Sequence, residues 1–143
     1  MTVYLEDLRP GMSASRDFTV TERALALFGE VTGDMNPVHF DEAFARKTVF
    51  RGRVAHGALC VGYVSAVVGT QLPGPGTIFS GATLAFKAPV RLGDTVTVTC
   101  TVRSVEGRNV ILDCISRVGE AVVAEMEVRA MAPRRPPDRK SGE

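Results

Sequence analysis

At 143 residues, with 45% apolar and 23% charged side chains, the chain is long enough to bury one hydrophobic core and ordinary enough in composition to be globular. Seventeen basic against sixteen acidic residues leave a formal charge of +1, which argues against the basic face of a nucleic-acid binder; the one dense basic run, Arg134-Arg135 through Lys140, lies in the tail. The longest apolar stretch, Ala58 to Val68, covers 11 residues, short of the ~18 to 20 that cross a bilayer. Met1 to Met12 contains Glu6 and Asp7 and no apolar run, so it does not read as a secretory signal. Cys60, Cys100 and Cys114 each sit inside an apolar pattern, and none forms a closely spaced metal-type pair. They read as small core residues in a reducing compartment, and the protein is expected to be cytoplasmic.

Met12 to Val20 is a candidate first strand. Thr21 offers a hydroxyl cap, and Ala24, Leu27, Phe28 and Val31 follow at helical spacing, predicting a helix that Thr32-Gly33 ends. Pro37 is expected to bar helix over the next few positions. A short helix is predicted from a cap at Asp41 to about Lys47, followed by a loop over Phe50 to Val54. Gly57 to Gly69 is apolar on every side and rich in small residues, which as a helix demands burial all round. Gly62 and Gly69 within it permit close packing. Leu72-Pro73-Gly74-Pro75-Gly76 breaks the chain.

Strands follow. Thr77 to Phe86 is one. Thr95 to Val105 alternates, with Val96, Val98, Cys100 and Val102 on one face and Thr95, Thr97, Thr99 and Thr101 on the other. Val110 to Val118 comes after a turn at Gly107. Gly119-Glu120 turns into Ala121 to Met131, where Val122, Ala124, Met126, Val128 and Ala130 alternate. Helices first and strands second indicate an α+β fold with an antiparallel sheet, wrapped around the apolar helix. Residues 1–132 form the domain. Pro133 to Glu143, with three prolines and almost no apolar residue, reads as a disordered tail.

Between the first two helices stands Gly33-Asp34-Met35-Asn36-Pro37-Val38-His39-Phe40-Asp41, which places a carboxylate and an imidazole five residues apart around an Asn-Pro turn. The chain has only two histidines, His39 and His56. A carboxylate and an imidazole brought to one point form an acid–base device near neutral pH. The expected chemistry is therefore proton transfer involving water.

The run FGEVTGDMNPVHFDEAFA resembles the hydratase motif of the MaoC-like, (R)-specific enoyl-CoA hydratase family. VFRGRVAHG, the helix ending SAVVGTQLPGPG, and LAFKAPVRLGDTV fit the same family, so the resemblance covers roughly residues 10–132. It implies a single hot-dog domain, an antiparallel sheet around a long central helix, assembled as a homodimer. It also implies hydration of a trans-2-enoyl thioester to the (R)-3-hydroxyacyl thioester, or the reverse. By position, Asp34 and His39 match the catalytic pair, Gly57 the backbone donor at the start of the central helix, and Ser65 a supporting serine. Asn36 pins the loop or touches substrate. Arg51, Arg53, Lys87 and Arg91 are candidates for the phosphates of coenzyme A, which enters as part of the substrate. No other cofactor and no metal is expected, and neither nucleic acid nor membrane is an expected partner.

Each residue has a plainer reading. Asp34 can terminate the preceding helix, and His39 or His56 can bond backbone as structural histidines. Asp41 reads better as a cap than as a catalyst, Ser65 can be a tolerated polar group, and each basic side chain can be solvated surface. Two other functions remain beside the hydratase: a hot-dog acyl-CoA thioesterase, and a non-catalytic partner subunit of a heteromeric dehydratase.

Overall fold

The computed structural model describes residues 1–137. A five-stranded antiparallel sheet in the order β1-β3-β4-β5-β2 is built from β1 (Ser13–Thr19), β2 (Ile78–Phe86), β3 (Thr95–Glu106), β4 (Asn109–Val118) and β5 (Ala121–Met131). Four helices precede β2: α1 (Glu22–Thr32), α2 (Pro37–Phe40), α3 (Glu42–Arg46) and α4 (Gly57–Thr70). The sheet curls around α4, giving the α+β hot-dog architecture the resemblance implies.

The alternation in β3 does what its period requires. Val96, Val98, Cys100 and Val102 are at most 1% exposed and share one core with Cys60, Val64, Val67 and Val68 of α4. The opposite face pairs hydroxyls across to β1: Ser13 with Thr101, Ser15 with Thr99 and Thr19 with Thr95, at 3.2, 3.1 and 3.2 Å. Apolar-in and hydroxyl-out is the pattern of a sheet with one covered face. All three cysteines are free and buried, as expected.

In β5 the register slips. Ser116 faces Ala124 but Arg117 faces Val122, so Val123 is an extra residue; it is buried, whereas Val122 is only half-buried. The expected inward position of Val122 is thus taken by Val123. The bulge frees the Val123 carbonyl to accept the Lys87 N–H at 2.8 Å, which fastens the segment leaving β2.

Three other expectations change. The buried face of α1 is Leu25 with Gly29, while Leu27 and Val31 are exposed. A Cβ on Gly29 would lie 2.7 Å from Met35 Sδ and 2.8 Å from Phe40 Cζ, so the missing side chain makes room for the segment after the helix. Pro37 does not bar helix after itself; it opens α2 at the first helical position, where its fixed φ and missing N–H cost nothing. Finally, α4 is not buried all round. The sheet covers Cys60, Val64, Val67 and Val68, and the opposite side leaves Ala58, Gly62 and Ser65 exposed, because a single sheet has only one concave face to offer.

The start of the expected disordered tail is tied down. Pro133 accepts the Leu5 N–H at 2.9 Å, Arg135 N–H reaches Glu6 at 2.9 Å, and the Arg135 side chain pairs with Asp7. Residues 138–143 lie outside the described residues. No helix among the described residues is long and apolar enough to cross a membrane.

The Gly29→Ala variant is expected to lose about 1–3 kcal/mol of stability through overpacking against Met35 and Phe40. Urea denaturation of the two proteins measures it.

Candidate active site

The segment between α1 and α2 is fixed by side chains bonding their own backbone. Gly33 caps α1 in the left-handed region at φ 79°, which glycine adopts without a Cβ penalty. Thr32 Oγ1 then accepts the Asp34 N–H at 3.1 Å, Asp34 Oδ1 accepts the Asn36 N–H at 3.2 Å, and Asn36 Oδ1 accepts the Val38 N–H at 3.2 Å. Asp41 caps α3 through the Phe44 N–H, as its position suggested. This chain of local turns holds Asp34 at the surface and delivers His39, 8% exposed, into the interior.

His39 Nδ1 lies 2.7 Å from the Val54 carbonyl oxygen. A carbonyl only accepts, so Nδ1 carries the proton and Nε2 is left as a lone pair. His56, 2% exposed, makes the mirror choice: its Nε2 lies 3.0 Å from the Asp34 carbonyl oxygen and therefore carries the proton, leaving Nδ1 bare. The two imidazoles stack with centroids 3.8 Å apart and planes inclined by 30°. A ring nitrogen of each and an Asp34 carboxylate oxygen lie within 4.8 Å of one another. These are metal-ligand types, and one nitrogen of each ring is already bonded to a backbone carbonyl.

Beside it opens a cavity of about 520 Å³, mostly apolar, which His39, His56 and Asn36 enter from one side. Gly57 and Ala58 line it as the first residues of α4, where the N–H groups have no carbonyl a turn earlier to bond. Phe86 lines it from the end of β2; a Cβ on Gly57 would come within 3.0 Å of that ring, so glycine keeps the helix terminus open. Cys60, one turn into α4, also lines it; burial pushes its thiol pKa up and keeps it uncharged.

The remaining candidates separate. Lys87 lines the cavity, its Nζ 3.9 Å from Glu125. Arg51 is exposed, at φ 57°. Arg53 is occupied: its Nε donates to the His39 carbonyl at 2.7 Å, and its two terminal nitrogens donate to Glu22 at 2.6 and 3.0 Å. Arg91 donates to the carbonyls of Phe50 and Arg53 at 2.6 and 3.4 Å. Both clamp the loops around the site. Ser65 does not line the cavity; it stands on the exposed face of α4, roughly two turns beyond Gly57. Val54 and Gly29 contribute without having been singled out. Val54 acts through its carbonyl, which no sequence pattern marks, whereas a glycine inside a helical pattern was a readable signal for Gly29.

A helix-wrapping antiparallel sheet whose helix N-terminus meets a carboxylate and a tautomer-fixed imidazole defines a hot-dog protein equipped for acid–base chemistry. The family model described as the MaoC like domain matches residues 8–124, and the chain belongs to that family. It is 46% identical over 134 residues, 92% of this chain and 93% of the relative, to an (R)-specific enoyl-CoA hydratase of Rhodospirillum rubrum. It is 41% identical to a 3-hydroxybutyryl-CoA dehydratase of Methylorubrum extorquens, over 93% of this chain and 86% of that one. Among solved structures, the R-hydratase PhaJ1 from Pseudomonas aeruginosa superposes with a TM-score of 0.88 at 36% identity, covering 98% of this chain and 97% of the other.

Bonding to Arg53 holds the Glu22 carboxyl below its ordinary value. A carboxylate with a depressed pKa contributes stability that is complete above its unfolded value, about 4.3, and is lost as pH falls through the folded one. Wild type is therefore expected to have the higher urea midpoint over Glu22→Gln at pH 7, with the two midpoints converging in acid.

Proposed function

We propose that the protein hydrates trans-2-enoyl-CoA to (R)-3-hydroxyacyl-CoA, or runs the reverse dehydration, with Asp34 and His39 as its acid–base pair. The observation that carries this reading is the His39 ring, its Nδ1–H bonded to the Val54 carbonyl so that Nε2 is left free, lining an apolar cavity and clustered with the Asp34 carboxylate, which stands at the surface just outside that lining.

The chemistry needs each part. Water adds too slowly to the β-carbon of an enoyl thioester unless a base takes its proton as the C–O bond forms. Asp34 orients the water and His39 Nε2 accepts that proton; the electron pair of the double bond moves toward the thioester oxygen. The pair then returns a proton to the α-carbon, so one water is added across the bond and both side chains are restored. Each such proton transfer is typically worth about 10²–10⁴-fold. Negative charge on the thioester oxygen is met by the Gly57 N–H at the positive end of α4; one such donor can contribute about 3 kcal/mol. No cofactor is needed beyond the coenzyme A that the substrate carries. Of the basic candidates, Lys87 at the cavity and the exposed Arg51 are better placed than Arg53 or Arg91 to meet its phosphates.

We further propose a homodimer. β2 lies at the edge of the sheet, and Ile78, Leu84 and Phe86 are 56%, 37% and 52% exposed along it. An unpaired apolar edge beside the uncovered Ala58, Gly62 and Ser65 face of α4 is a surface that a second copy would cover. Ser65, exposed on that face and outside the cavity lining, would then act through that interface. The reaction is assigned to the cytoplasm, with neither nucleic acid nor membrane as partner.

Loss of enoyl-thioester absorbance with crotonyl-CoA tests the reaction. Wild type is expected to form the (R)-alcohol, and Asp34→Asn and His39→Gln are each expected to be slower by about 10²–10⁴-fold. Release of free thiol from a saturated acyl-CoA would instead indicate a thioesterase. Sedimentation is expected to give twice the 15.3 kDa chain mass; a monomer that hydrates at full rate would remove the dimer from the proposal.

A further inference from the structure

His56 has no part in the reaction just described, although it is the chain's only other histidine. Its ring is almost wholly buried, against Phe28 at 4.6 Å, Phe40 at 5.5 Å and His39 at 3.8 Å between centroids. An apolar ring would fill that aromatic box without difficulty. A histidine there leaves Nδ1 buried with no hydrogen-bond partner, a cost that plain core packing does not require. What it gains is the Nε2–H bond to the Asp34 carbonyl, 22 residues away in the chain.

We propose that His56 is a positioning residue for both catalytic groups, its Nε2–H anchoring Asp34 to the start of α4 while its ring backs that of His39. The inference rests on the hydratase reading. His56 immediately precedes Gly57 and caps α4 with its backbone, with no side-chain capping bond. The same residue therefore fixes the spacing between the Asp34 segment and the first amides of the helix. The face of its neutral ring, stacked on His39, also lies where positive charge forms when His39 takes the proton from water, a favourable arrangement for a cation over an aromatic ring. Ring flipping would break the Asp34 bond, so the site requires two imidazoles locked in opposite tautomers: Nδ1–H on His39 and Nε2–H on His56.

Two histidines give two imidazole spin systems, and ¹⁵N–¹H correlation through the ring protons of the intact chain reads both tautomers directly. One ring is expected to be locked with its proton on Nδ1 and the other on Nε2, the latter disappearing in His56→Phe. That variant keeps a ring but loses the donor, whereas His56→Gln keeps an N–H near the position of Nε2 but loses the ring. With crotonyl-CoA, His56→Phe is expected to lower kcat by about 10²-fold with KM within about threefold, and His56→Gln to recover at least about tenfold of that loss. A His56 signal averaged between tautomers, or protonated on Nδ1, would overturn the proposal without any variant needing to fold. So would wild-type kcat in His56→Phe. Locked opposite tautomers in a wild type that hydrates no enoyl-CoA would overturn the hydratase reading and leave the anchoring of Asp34 standing.

Discussion

Helix α4 carries no charged side chain from Gly57 to Thr70, and the need to cover it shapes much of the remaining structure. An apolar helix that long is stable only against apolar surface, and the valine row of β3 with the buried Val110, Leu112 and Cys114 of β4 and Val123, Met126 and Val128 of β5 supplies it from one side. A sheet that curls around one helix has a single concave face, so the opposite side of the helix stays bare in one copy. The requirement that organises the core also organises the site. Burying the body of α4 leaves its N-terminus at the end of the barrel-like curl, where unbonded amides and an apolar cavity meet.

Around that terminus, backbone carbonyls select the state of the side chains. Val54 and Asp34 each present a carbonyl to an imidazole, and each thereby decides which ring nitrogen is free. Arg53 adds a third such contact, holding the carbonyl of His39 while its far end grips Glu22 on α1. Carbonyls are rigidly placed by the fold and only accept, so the tautomer each selects in the neutral ring is set by geometry alone. Two of the arginines that a sequence reading assigns to phosphate recognition, Arg53 and Arg91, are instead occupied in bonding the loop carbonyls of His39, Arg53 and Phe50.

Much of this was legible along the chain. All five strands were readable, β3 and β5 from their alternation and the others from the turns and breakers that bound them, and the Thr21 and Asp41 caps and the Gly33 stop from turn chemistry, because these depend on neighbours a few residues away. The Asp34–His39 pair was legible too, since its spacing and its Asn-Pro turn are local. Two misreadings share one cause, a packing partner distant in the chain or outside the element. Leu27 and Val31 have the helical period of a core face, yet Gly29 turns the other side of α1 inward to receive Met35 and Phe40. Val122 has the right parity for the core until the bulge at Val123 shifts it, and the partner strand that forces the bulge is not visible within β5 itself. Pro37 is a different case: its rule was applied to the wrong side, since proline disfavours helix at the residue before it and can start a helix at its own position.

By itself, the sequence determined the order and type of the elements, the apolar character of the central helix, and the closeness of a carboxylate and an imidazole around the Asn-Pro turn, all consequences of short-range periodicity and turn chemistry. Only the tertiary structure decided which nitrogen of each histidine is free, that His56 stacks on His39 and bonds the Asp34 carbonyl, that Arg53 and Arg91 serve as clamps, and which side of α4 is left uncovered. The hydrogen bonds behind the tautomers and the clamps join residues 14 to 41 apart in the chain, from Arg53 with the His39 carbonyl to Arg91 with that of Phe50. Distance in the chain carries no information about such meetings until the sheet has closed on the helix and fixed where every carbonyl points.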